Sequence, residues 1–82
     1  MNKKNINILA EIFSELFNTD RADFNDSLSR DQILEWDSIG TVKLINELES
    51  NFNVEFDILE ISNLHSVGII KSVLTEKGVN FD

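Results

Sequence analysis

The stretch 35-EWDSIGTVKL-44 places a serine between Asp37 and Ile39, at the point where an amphipathic pattern begins. Serine before an apolar-periodic run is an N-cap signal, so the pattern makes Ser38 the residue that starts a helix. The same position permits a second role. A helix N-terminus has free N–H groups and the positive end of the backbone dipole, so it accommodates a phosphate. A serine there can carry a phosphodiester-linked group without an unfavourable field. Its hydroxyl is a poor nucleophile without an adjacent base, so a separate enzyme would have to install that group.

Other chemistries find less support. There is no cysteine, which removes disulfides and thiolate metal sites. His65 is the only histidine; it is far along the chain from Ser38 and cannot build a histidine-rich metal cluster. It reads as a surface or helix-start residue, and a hydrolase using Ser38 with His65 ranks last among the readings. Gly40, Gly68 and Gly78 are isolated, so no phosphate-cradling glycine loop exists. The string DFNDSLSRDQIL resembles a calcium loop, but starting the motif at Asp23 puts Leu28 where a glycine turn is needed and Leu34 where a bidentate Glu is needed. No catalytic constellation and no metal site are therefore assigned.

The net charge is −8, from 15 acidic and 7 basic residues. That opposes nucleic-acid binding, which requires neutralising phosphates, and favours partners with basic surfaces. The acidity is concentrated: Asp31, Glu35, Asp37, Glu47, Glu49, Glu55, Asp57 and Glu60 share their stretch with one basic residue, Lys43. Most such carboxylates form solvated faces. Trp36, the single tryptophan, is expected as a partly buried anchor with a partner-contact role left open.

The elements that position these residues follow from apolar spacing. Leu9, Ile12, Phe13, Leu16 and Phe17 line one face of a helix over residues 5–17. Residues 18–36 lack periodicity and form a long loop, with Phe24, Leu28 and Ile33 expected to pin it to the core. A second helix spans 38–52. Ile39, Val42, Ile45, Leu48 and Phe52 are assigned to its apolar side, with Leu44 at the margin. Asp57 caps a short segment, Ile58–Ile61, and Ser66 caps a last helix that stops at Gly78. No strand has a partner hairpin. The expected fold is all-α: a single domain over residues 1–82, an antiparallel four-helix bundle with three main helices, one short third helix and a long first loop. No apolar run approaches the roughly 20 residues of a membrane span, and Glu11 and Glu15 interrupt the N-terminal pattern, so a cytoplasmic monomer is expected.

The segment 37-DSIGTVKLINELESNFNVEFD-57 resembles the acyl carrier protein family and its peptidyl and D-alanyl carrier relatives. Asp37-Ser38-Ile39 matches the family's Asp-Ser-Leu triplet with Ile for Leu. Thr41, Val42, Leu44, Leu48 and Phe52 fall where the family keeps its helix pattern, and the likeness continues more loosely through Leu64-His65-Ser66-Val67 and both terminal helices. The resemblance implies a four-helix acyl-carrier-like bundle in which Ser38 receives 4′-phosphopantetheine from coenzyme A through a magnesium-dependent phosphopantetheinyl transferase. The arm's thiol would hold an acyl or aminoacyl thioester, and the absence of cysteine fits a thiol supplied only by that arm. Asp37 would assist transferase recognition and metal positioning. Trp36, Ile39, Val42, Lys43 and Glu47 would belong to the surface that docks the transferase and the loading and acyl-transfer enzymes. Such a chain is a carrier, not an enzyme.

Fatty-acid members usually carry an acidic residue after the triplet and another three residues later. Gly40 and Lys43 stand there instead. Asp-Ser-hydrophobic-Gly-Thr-Val is closer to D-alanyl carriers and to carriers of specialised pathways. A different class of reading is a non-catalytic helical adaptor that binds a basic partner through its acidic face. The interior near the end of the second helix is expected to be lined by Ile45, Leu48, Phe52, Ile61 and Val67.

Overall fold

The computed structural model describes residues 3–81, in which four α-helices are joined by loops containing two short 3₁₀ turns. The first helix, α1, runs Lys4–Phe17 and buries Leu9, Ala10, Ile12, Phe13 and Phe17. It ends because Asn18 adopts a left-handed conformation (φ 55°) and returns its N–H to the Ser14 carbonyl at 3.0 Å. Asparagine tolerates that region better than most side chains.

The long connection to the next helix is held down by its own apolar side chains. Phe24, Leu28 and Ile33 are buried, as their isolation among polar residues predicts. Single 3₁₀ turns at Arg21–Asp23 and Arg30–Gln32 satisfy local backbone groups, the second closed by a reciprocal Ser29–Gln32 capping box. The loop is also fastened to the start of the last helix. Arg30 donates to the His65 carbonyl (2.8 Å), Val67 to that of Leu28 (2.9 Å) and Gly68 to that of Asp26 (3.0 Å). Lys71 adds an ion pair to Asp26 at 3.0 Å.

The second helix, α2, spans Ser38–Phe52 and ends on Asn53, again left-handed at φ 56°. Its buried residues are Gly40, Thr41, Leu44, Ile45 and Leu48. The stripe is therefore rotated from the one the apolar spacing predicts. Leu44 is fully buried rather than marginal, while Ile39 and Val42 are 68% and 60% exposed. The short α3, Ile58–Ser62, carries a reciprocal capping box between Asp57 and Glu60. It buries no residue completely, as a segment too short to hold without neighbours would. The last helix, α4, runs Val67–Glu76, with the Ser66 hydroxyl accepting from the Ile69 N–H at 3.2 Å. Past its end Gly78 sits at φ 99°, a conformation that favours glycine.

The core is one cluster. α1 and α2 pack directly, and Leu64, Val67, Ile70, Leu74 and Val79 close it from the C-terminal side. Of the expected interior, Ile45, Leu48 and Val67 are buried, while Phe52 and Ile61 are only half-buried and pack against its edge. Trp36 corrects its sequence assignment: at 2% exposure it is core, not a partly exposed anchor and not a docking residue. Its ring lies edge-on to Phe13 (centroids 5.2 Å) and stacked on Phe17 (5.7 Å, 15° between planes). Such pairs add about 0.5–1.5 kcal/mol beyond area burial. The cost is an indole N–H with no acceptor among the described residues, of order 1–3 kcal/mol.

Candidate functional site

The buried indole brings the chain to the surface immediately before α2, and the next two residues divide the labour there. Asp37 is extended (φ −99°, ψ −162°) and is the N-cap: its Oδ1 accepts from the Gly40 N–H at 2.8 Å. Its carbonyl accepts both the N–H (2.8 Å) and the hydroxyl (2.9 Å) of Thr41. Ser38 is the first helical residue rather than the cap. This corrects the sequence assignment, because aspartate and serine cap about equally well and the pattern alone does not separate them.

The correction matters chemically. A capping hydroxyl is occupied by a backbone N–H and turned toward the helix. The Ser38 side chain is exposed, and its Oγ has no hydrogen-bond partner among the described residues. The backbone N–H groups of Ser38 and Ile39 likewise find no acceptor there. An exposed primary hydroxyl beside two unpaired N–H donors at the start of a 15-residue helix fits a phosphodiester. Free donors and the helix dipole face its charge. The Asp37 carboxylate uses one oxygen for capping, and its side chain is exposed.

Among the described residues the surface is less polar than the chain's net charge implies. Ile39 and Val42 project from α2, Leu34 is 93% exposed just upstream, and Ile58 and Leu59 of α3 are 82% and 76% exposed. Lys43 is exposed and Glu47 half-buried on α2. Leu34, Ile58 and Leu59 were not singled out from the sequence. A signal existed for two of them: Ile58, Leu59 and Ile61 are too many apolar residues for one face of a five-residue helix.

A shallow concavity of about 260 Å³, lined by Leu16, Phe17, Glu35, Asp37, Ile39, Gly40 and Lys43, adjoins the start of α2. A larger one, about 700 Å³, lies over the first loop between Asn18 and Glu35 and does not include Ser38. His65 is exposed, and the hydrogen bonds it makes are through its backbone, to Arg30 and Asn63. No hydrogen bond joins it to Ser38 among the described residues. No group of three or more acidic or histidine side chains able to hold a metal occurs among them either.

One titration stands out. The Lys77 ammonium, 2.9 Å from both Glu60 carboxylate oxygens, together with the Asp57 backbone N–H that donates to Glu60 Oε1, holds the Glu60 carboxyl below its usual value. This pair ties α3 to the end of α4, and Lys77 also lies over the Phe56 ring at 5.2 Å. It braces the short helix rather than forming a reactive centre.

The family model described as "Phosphopantetheine attachment site" matches residues 7–71, from within α1 to within α4 and across Asp37–Ser38. Among curated proteins no match is found. No helix among the described residues is long and apolar enough to cross a membrane.

Proposed function

We propose a function from one premise: the chain belongs to the phosphopantetheine attachment site family, whose members carry 4′-phosphopantetheine as a covalent prosthetic group. Domains of this family are generally carriers without catalysis of their own. The attachment residue of this chain is Ser38, and the chain presents acyl or aminoacyl intermediates to partner enzymes. The observation that carries the assignment is the unpartnered, exposed Ser38 hydroxyl at the first residue of α2, freed because Asp37 does the capping.

The modification is a transfer in which Ser38 Oγ displaces adenosine 3′,5′-bisphosphate from the pyrophosphate of coenzyme A. An oxygen–phosphorus bond forms to Oγ, the phosphorus–oxygen bond to the nucleotide breaks, and the serine proton leaves to a base. No side chain among the described residues is hydrogen-bonded to the Ser38 hydroxyl to activate it, so base and metal come from the transferase. The Asp37 carboxylate is adjacent and exposed, placed to help orient that enzyme's magnesium. The unpaired N–H groups of Ser38 and Ile39 face the phosphodiester once formed. When attached, the arm supplies a thiol that holds cargo as a thioester.

Partners dock on the exposed side of α2, through Ile39 and Val42 with Lys43 as the local cation, and the exposed Leu34, Ile58 and Leu59 are further candidates for partner contact. Gly40 and Lys43, in place of the acidic residues of fatty-acid carriers, favour a D-alanyl-type or other specialised pathway over housekeeping fatty-acid synthesis. The test is intact mass after incubation with coenzyme A, magnesium and a broad-specificity transferase. Wild type gains one phosphopantetheine and Ser38→Ala gains none. Wild type without added mass, or labelled Ser38→Ala, overturns the reading.

A further inference from the structure

Gly40 occupies an unusually crowded place for a residue so near the surface. A Cβ built on it would fall inside the contact shell of the Glu35 carbonyl oxygen and lie 3.2 Å from Cε1 of Phe17. The helix start is therefore pressed directly against the turn that precedes it. That turn is held from the other side by Trp36, whose ring is buried against Phe13 and Phe17 and whose backbone N–H donates to the Ile33 carbonyl at 3.2 Å. Phe17 belongs to both contacts: it stacks on the Trp36 ring and touches the space beside Gly40. Between these two fixed points lie only Asp37, Ser38 and Ile39.

We propose that Gly40 and Trp36 are positioning residues for the modification of Ser38: together they clamp the turn onto α1 and so fix the direction in which the Ser38 hydroxyl leaves the surface. The inference rests on Ser38 being the attachment residue. Neither residue touches the reacting atoms. They act through the Asp37 cap, whose bond to the Gly40 N–H exists only while residue 37 stays above the first turn. A side chain at position 40 forces Glu35 and the first turn of α2 apart by roughly 1 Å before contact is normal. A displacement of that size near a reacting group costs up to about a hundredfold in rate. This also gives a steric reason why an acidic side chain is excluded here: any residue but glycine meets backbone, which cannot swing aside.

The experiment measures steady-state labelling of the unmodified chain, residues 1–82, by the transferase, with coenzyme A and magnesium saturating and the carrier varied. Gly40→Ala is compared with Leu74→Ala, a core truncation in α4 at a fully buried site, at a temperature where circular dichroism shows both folded. The expected result is a fall in kcat of about 10- to 100-fold for Gly40→Ala with KM within threefold, since the docking side chains are unchanged. Leu74→Ala is expected within twofold of wild type. Trp36→Phe, which keeps an aromatic ring in the slot, retains kcat within threefold, and Trp36→Leu loses at least tenfold. Should Gly40→Ala not fold, the two Trp36 variants carry the comparison. If Gly40→Ala slows labelling no more than Leu74→Ala, if the loss lies wholly in KM, or if Trp36→Leu labels like wild type, the positioning role is overturned while the attachment assignment stands. Unlabelled wild type, or labelled Ser38→Ala, overturns both.

Discussion

Truncating the two adjacent residues at the start of α2 separates capping from carrying. The Asp37 carboxylate accepts the Gly40 N–H at 2.8 Å, and loss of an N-cap side chain costs about 1 kcal/mol, within a range of roughly 0.5–2. Its negative charge at the helix N-terminus adds about 0.3–1 kcal/mol. Asp37→Ala is therefore expected to lose roughly 1–2 kcal/mol. For a domain of this size that lowers Tm by about 4–8 °C per kcal/mol. It also moves the urea midpoint down by about 1–2 M, taking a slope near 1 kcal/mol per M. Asp37→Asn keeps the acceptor and loses only the charge, so it should lose less than half as much. Ser38→Ala removes a hydroxyl that bonds nothing among the described residues and puts alanine, the best helix former, at the first helical position. Its stability is expected within about 0.5 kcal/mol of wild type, while its labelling falls to zero. Urea unfolding followed by Trp36 fluorescence, on unmodified protein, reads all three variants. Should Ser38→Ala destabilise as much as Asp37→Ala, the serine is a cap after all, and the argument that its hydroxyl is free for modification collapses.

Three further outcomes are expected. Leu48→Ala, at a fully buried site in the middle of the core, loses about 2–5 kcal/mol, measured by the same unfolding curves; a loss below 1 kcal/mol would show that the core is not packed around α2 as described. The double change Ile39→Ser with Val42→Ser leaves Tm nearly unchanged, because both side chains are exposed, yet raises the transferase KM at least tenfold. The wild-type KM should also change less than threefold between low and high salt, since apolar contact is not screened; a steep salt dependence would put docking on the acidic residues instead. Finally, the Glu60 carboxyl is held below its usual value by Lys77 and by its bond to the Asp57 cap. Its contribution is therefore present above the ordinary carboxylate range and is lost as the pH falls through the lowered folded value. Glu60→Gln keeps the capping-box geometry, so its Tm should fall less than that of wild type between neutral and acid pH. Equal acid sensitivity in the two proteins would rule the pair out as a source of that dependence.

Much of the architecture was legible because several independent signals agreed at each boundary. α1 ends where Asn18 and Asp20 interrupt its period, and the interruption is a left-handed asparagine. Asp57 and Ser66 cap where a good cap precedes an apolar run. Phe24, Leu28 and Ile33 pin the first loop because isolated apolar residues in a polar stretch have nowhere else to go. Trp36 was harder to place. A tryptophan is seldom fully buried, and this one packs against Phe13 and Phe17 of α1, an element remote in sequence. The backbone stitching between Asp26–Arg30 and His65–Gly68 left no side-chain trace at all, being made almost entirely by peptide groups.

The rotation of α2 shows why the site was only partly legible. Its first half is apolar on nearly every side, with Ile39, Val42, Leu44 and Ile45 spread around the helix, so apolarity gives the period without giving the phase. Two cues do give the phase. Gly40 marks where backbone presses on backbone, and Thr41 is a small polar residue whose hydroxyl is consumed by the Asp37 carbonyl. Both sit on the side facing α1, which forces Leu44 and Leu48 inward. Ile39 and Val42 are left in solvent on the same side as Ser38. The residues that read as the core of a carrier's second helix are thus the ones left in solvent, and the close approach of backbone at Gly40 goes with that rotation. An exposed apolar face on α2 and a glycine at position 40 are, on this geometry, one structural choice rather than two: placing a side chain at 40 would separate the helix from its turn and loosen the face along with the serine.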